Sequence, residues 1–234
     1  MDANRRTALS AGVWFLLTFA FSIPAVFVFY EPVLNDPNYI VGAGADTRVS
    51  WGAFLEVLTA IANIATAVVL FRILRRQSEA ISLGYVALRV VESTLIIVGL
   101  ISLLSIVTLR QDGGGADSAS LVLAGRSLVA FHDWTFLLGP QFCAGFGNGL
   151  LLGYLMYKTG LVPRPMALIG LIGGPLAFIA GTAVLFAAIE QGSSVQALLT
   201  VPEALWELLL GLYLTFRGFR PSPILVEGSA AARP

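Results

Sequence analysis

Six stretches of this chain are apolar and almost free of charge: residues 8–30, 49–70, 81–109, 128–157, 166–189 and 201–219. Each reaches the ~17 residues that carry an α-helix across a hydrocarbon core ~30 Å thick. The pattern predicts an all-α polytopic bundle of six transmembrane helices. The third and fourth stretches exceed the need and must tilt, kink or project into the headgroups. Pro140, after Gly139, denies the Phe136 carbonyl its partner and predicts a kink in the fourth helix. Gly173-Gly174-Pro175 predicts another in the fifth.

The separators are polar. Asn35-Asp36-Pro37-Asn38 forms turn chemistry after the first helix, and Gly113-Gly114-Gly115 predicts a mobile loop after the third. Residues 1–220 read as one transmembrane domain, and 221–234, rich in Pro, Ser, Ala and Gly, as a disordered cytoplasmic tail. Arg5 and Arg6 before the first apolar run imitate a signal peptide. That run is too long for an h-region and lacks a small-x-small cleavage site, so it is expected to stay as the first span.

Composition agrees: 57% of residues are hydrophobic and 12% charged, against about 25% charged in ordinary soluble domains. Lipid is the natural solvent of such a chain, and the bilayer its first partner. The net charge of zero argues against nucleic acid. Lys and Arg set an orientation. With the N-terminus inside, ten fall on inner segments (Arg5, Arg6, Arg72, Arg75, Arg76, Lys158, Arg164, Arg217, Arg220, Arg233) and three on outer loops (Arg48, Arg110, Arg126). Both termini are therefore expected in the cytoplasm, with the chain in a bacterial inner membrane. Cys143 is alone in an apolar run, so it offers no internal disulfide and reads as a small buried hydrophobe.

Several strings have a familiar look. They are Pro32-Val33-Leu34-Asn35-Asp36-Pro37-Asn38-Tyr39-Ile40, Gly52-Ala53-Phe54-Leu55-Glu56, and Leu83-Gly84-Tyr85 with Arg89 and Glu92. His132-Asp133-Trp134, Gly145-Phe146-Gly147-Asn148-Gly149 and Leu161-Val162-Pro163-Arg164 complete the set. Together they resemble the bacterial membrane family called domain of unknown function 4386 (DUF4386), over most of the chain. The resemblance implies a small multi-pass protein and no particular activity.

Charges within lipid cost at least ~2.5–3.5 kcal/mol each at mid-helix, so they mark function or tight pairing. The second helix carries Glu56, Thr59 and Asn63 on one face. The third carries Tyr85, Arg89 and Glu92; the fourth His132, Asp133, Gln141 and Asn148; the sixth Glu203 and Glu207. Counted along the predicted helices at ~1.5 Å per residue, Glu56, His132, Asp133 and Glu207 all fall roughly 5–10 Å below the outer surface. Glu56, Asn63, Arg89, Glu92, His132, Asp133 and Glu207 are the candidate lining of a pocket, with Glu56, His132 and Glu207 expected to converge.

Structural readings compete. Arg89 and Glu92 are spaced to pair. Thr200-x-x-Glu203 fits a capping box at a helix start. His132 and Asp133 fit an interfacial belt beside Trp134. Glu56, His132, Asp133 and Glu207 offer donors for a metal, although one histidine is thin for zinc and neither HExxH nor HxxxH spacing occurs. Gly145, Gly149 and Gly153 form a ridge for close packing within the chain or against a second copy. The expected function is a pocket facing the outer leaflet that binds or senses a small cation or lipid. A proton- or cation-coupled transporter and an intramembrane metal-dependent hydrolase stay open as alternatives. The sequence names no cofactor.

Overall fold

In the computed structural model, residues 1–42, 44–112, 115 and 117–230 are described, 227–230 by their backbone alone. Gly113 and Gly114 of the glycine run and residues 231–234, Arg233 among them, lie outside the described residues. Six helices are long and apolar enough to cross a membrane: α1 Ala3–Phe29, α2 Asp46–Leu74, α3 Glu79–Asp112, α4 Ser118–Thr159, α5 Arg164–Leu185 and α6 Ser194–Phe216. Among the described residues there is no strand. The chain is a multi-pass membrane protein.

Local chemistry sets the ends. Asp2 accepts from the Arg5 amide at 2.6 Å to start α1. Asp117 starts α4 by accepting from the Ser120 amide at 3.0 Å and from its hydroxyl. The same bonds, the amide first, hold the Asp117 carboxyl below its usual range. Ser193 caps α6. Gly160, at φ 66°, closes α4 in a left-handed conformation that suits glycine.

These caps explain two shifts from the sequence reading. Helices α4 and α6 begin at Ser118 and Ser194 rather than 128 and 201, because their first turns are too polar for a hydropathy window yet well capped. Thr200 and Glu203 consequently sit inside α6, and the capping box expected there does not exist. The break at Pro140 is present as a π-helical segment, Leu137–Gln141. By contrast, α5 continues through Gly173-Gly174-Pro175 to Leu185. After Phe219, where composition predicts no ordered element, a short helix α7 covers Pro223–Ala230.

The six spans form a ring. Each packs on its sequence neighbours, and α6 closes on α1. The start of α1 and the end of α6 therefore lie at one end of the bundle. That end is tied down by Arg5, which donates to the carbonyls of Leu214 at 3.0 Å and Thr215 at 2.6 Å. Ser222 adds a bond to the Thr159 carbonyl at 2.6 Å.

Two seams depend on glycine. A Cβ on Gly149 would lie 2.8 Å from the Gly174 amide nitrogen, and one on Gly145 would lie 2.9 Å from the Gly174 carbonyl oxygen. The glycine ridge of α4 is thus packed against α5. On the other seam, a Cβ on Gly12 of α1 would lie 2.8 Å from the Gly211 carbonyl of α6.

Apolar packing is split in two. One cluster fills the half nearest the termini and includes Phe15, Leu70, Leu74, Tyr85, Trp206 and Leu210. The other fills the far end around Tyr30, Val33, Tyr39, Ile40, Leu103 and Ile106. At that end Asp46 accepts from Tyr39 at 2.8 Å and pairs with Arg110 at 2.6 Å. Burial, with this bond, raises the Tyr39 phenol above its usual value. Between the two clusters lies a polar layer.

Candidate functional site

The polar layer is built where α2, α3, α4 and α6 face one another. Arg89 of α3 is its centre and is 1% exposed. Its Nη1 donates to Glu92 Oε2 at 2.8 Å, one turn along the same helix. Its Nη2 donates to Asn63 Oδ1 of α2 at 2.8 Å. Asn63 returns its amide to Glu92 Oε1 at 3.2 Å, which completes a three-member ring. Glu207 of α6 approaches Arg89 Nη1 at 3.9 Å and accepts a hydrogen bond from Asn148 Nδ2 of α4. The Asn148 carbonyl, in the π-helical segment Gly145–Leu152, accepts from the Trp206 indole at 3.0 Å. This ties the irregular stretch of α4 to α6.

Two more carboxyl groups complete the layer. Glu56 of α2 accepts from the Tyr30 hydroxyl at 3.1 Å and is 2% exposed. Glu203 of α6 is 3% exposed, and neither of its carboxyl oxygens has a partner. A buried polar group without a partner is rare and costly. Glu203 lies against Gly149, where a Cβ would come within 2.6 Å of its Oε2. The Asn148 Oδ1 is likewise buried and unpartnered, because its amide nitrogen is committed to Glu207.

A cavity of about 280 Å³ opens onto this layer. Glu56, Asn63, Glu92, Glu203 and Glu207 stand in its wall. Phe19, Ile23, Val26 and Phe27 of α1 form the opposite side. A second, wider space of about 510 Å³ lies toward the far end and holds Asn35, His132, Asp133, Gln191 and Gln196. Val26, Phe136, Gln141 and Thr200 border both spaces. Gln141, at the π-helical break of α4, donates to the Ala177 carbonyl at 2.7 Å and to Thr200 at 3.0 Å, and so forms a polar neck.

Glu56, Asn63, Glu92 and Glu207 therefore share a cavity wall, with Arg89 behind it. His132 and Asp133 line the second space instead, with Tyr30 standing between His132 and Glu56. The His132 ring is buried between Tyr30 and Phe136, with centroids at 6.0 Å and 5.4 Å. Its nearest carboxylate is that of its neighbour Asp133, at 3.5 Å. The interfacial reading suits the half-buried Asp133 and the exposed Trp134 but not the buried His132. The matched depth of Glu207 also needs correction: it stands thirteen residues from the true start of α6, about 20 Å along the helix axis. It consequently meets Arg89 rather than His132. No three of the His, Cys, Asp and Glu side chains are grouped to hold a metal ion among the described residues, so the set Glu56, His132, Asp133 and Glu207 is not a joint ligand shell. Cys143 is buried and free.

Glu203, Gln141, Asn148 and Tyr30 are the residues of the site that sequence reasoning did not select. Glu203 was obscured by the Thr200-x-x-Glu203 spacing. The polar run from Ser193 to Gln196 was the available signal that α6 starts a full two turns earlier.

The chemistry of the layer is one-sided: four carboxyl groups stand in the cavity wall, and the one guanidinium lies within 4 Å of only two of them, Glu92 and Glu207. Several kcal/mol of desolvation accompany each charge placed in such surroundings. The arrangement therefore favours uptake of positive charge, as protons or as a cation. Fold and site together define a six-span membrane bundle with an acidic intramembrane cavity. Residues 10–218 match the family model described as Domain of unknown function (DUF4386), and the chain belongs to that family. No curated protein and no solved structure matches it.

Proposed function

We propose that this protein binds a small positively charged molecule in the cavity between α1, α2, α3, α4 and α6, reached from the external face of a bacterial inner membrane. The observation that carries the reading is Glu203, buried at the cavity wall with both oxygens unpartnered beside three further carboxyl groups. Arg89 neutralises one of them and positions Asn63. The others attract a cation and supply its hydrogen-bond acceptors. Protons compete for the same oxygens, so the ligand binds more tightly as pH rises.

The test uses protein in lipid nanodiscs, melted with methylammonium, tetramethylammonium, sodium and calcium in turn. A ligand at about 100 times its Kd adds ~2.7 kcal/mol, a rise in Tm of roughly 5 °C or more for a chain of this size. The rise should vanish in Glu203→Gln and Glu207→Gln. Melting that ignores every cation, or a rise that survives both substitutions, would refute the reading. Orientation is checked separately. Reporter fusions after Arg76 and Lys158 are expected to score cytoplasmic, and fusions near Asn38 and Gly192 external.

One feature favours transport over binding alone. Helices α1 and α4, the first of each three-helix half, both carry a π-helical segment at a proline, Ala25–Phe29 after Pro24 and Leu137–Gln141 around Pro140. Paired helix interruptions beside a midplane site are the architecture of many secondary transporters. Cation-dependent uptake into proteoliposomes, abolished by Glu203→Gln, distinguishes transport from binding.

A further inference from the structure

The cavity has a side mouth. Ile23 and Phe27 of α1, which line it, are 50% and 75% exposed. Ala204 of α6 lines it too and is exposed, although its neighbour Glu203 is buried. Ala204 stands ten residues from the start of α6, about 15 Å along an axis that spans one hydrocarbon core. At that depth the exposed Ala204 borders hydrocarbon, and Ile23 and Phe27 stand within about 10 Å of the far end of α1. Helices α1 and α6 meet tightly at Gly12 and Gly211 near the termini, and the cavity-lining residues of both helices lie beyond that contact. The mouth is apolar, whereas the floor is acidic. A volume of about 280 Å³ lies just below the range for a whole drug-sized ligand.

From this juxtaposition we propose that the ligand is a cationic amphiphile, an amine on a hydrocarbon chain, which enters sideways from the outer leaflet between α1 and α6. The ammonium group reaches Glu203 and Glu207. The first few methylenes occupy the mouth, and the rest of the chain stays in lipid. A wholly water-soluble cation has no use for an opening onto hydrocarbon. A lipid with an anionic headgroup meets four carboxyl groups at the floor. This inference rests on the proposed cationic ligand and adds its chemical class and route.

The experiment compares propylamine, dodecylamine and dodecanol by melting in zwitterionic nanodiscs, each scaled to its free aqueous concentration. Dodecylamine is expected to act at least roughly tenfold below the aqueous concentration of propylamine, about what two methylenes removed from water contribute. Dodecanol, with the same tail and no charge, should leave Tm unchanged. Ala204→Trp fills the mouth from a lipid-facing position and should remove the advantage of dodecylamine over propylamine. Its unliganded melt checks its fold, and a labelled photoreactive long-chain amine gives a second readout. That amine should attach to α1 near Ile23 or to α6 near Ala204. Equal potency of the two amines, or attachment elsewhere, overturns the lateral route while leaving the cation reading in place. A response to dodecanol equal to that of dodecylamine, or no response to either amine, overturns both.

Discussion

Arg89→Met is expected to cost the bundle about 3–5 kcal/mol, the usual penalty for stripping one partner from a buried ion pair. The guanidinium is 1% exposed and holds Glu92 at 2.8 Å and Asn63 at 2.8 Å. Without it, Glu92 and Glu207 face each other and Glu203 with no compensating charge, and Asn63 loses a donor to its side-chain oxygen. The loss is read as a large drop in Tm and in monodisperse yield from detergent. Arg89→Met combined with Glu92→Met should be milder than Arg89→Met alone, because the most strongly coupled carboxylate leaves with its partner. Recovery will be incomplete, since Glu207 and Asn63 stay behind. A double variant as damaging as the sum of its singles would show that Arg89 and Glu92 act independently.

Gly174→Val is expected to be the second most damaging single change. A Cβ there lies 2.8 Å from the Gly149 Cα and also against the Gly145 carbonyl oxygen. Both neighbours are backbone, so relief requires α4 and α5 to separate. Overpacking into adaptable side chains costs about 1–3 kcal/mol, and this site should exceed that range. The same shift would move Gly149 away from Glu203, so any cation response should weaken along with stability. Gly84→Ala serves as the comparison: its Cβ meets only Leu151 Cδ1, at 3.3 Å. A Tm for Gly174→Val as high as that of Gly84→Ala would contradict the backbone seam.

Which parts of this were legible beforehand follows from the physics of each signal. Hydrophobicity dominates in lipid, so six spans could be read directly from six apolar runs. The Arg89 and Glu92 pair was legible because a spacing of three residues is geometry internal to one helix. Convergence between helices was not. Glu207 was assigned to the wrong level because capped polar turns at Ser118 and Ser194 extend helices beyond their hydrophobic text. The same error made Glu203 a cap residue. Asn148 was visible as a polar residue, but its link to Glu207 depends on how α4 rotates through its π-helical segment, which no periodicity of 3.6 encodes.

The closure of α1 on α6 also has a bearing on biogenesis. Arg5 waits for carbonyls 209 and 210 positions later in the chain. At translation rates of ~5–20 residues per second, about 10–40 s separate the emergence of the two partners. For about the second half of that interval, once α3 has been made, the acidic faces of α2 and α3 are in the membrane without the helix that completes their enclosure. A nascent chain stalled before α6 is therefore an open trough with ionisable walls, the form in which quality-control proteases of the membrane would meet it. The last span to be made is the one that turns the trough into a ring.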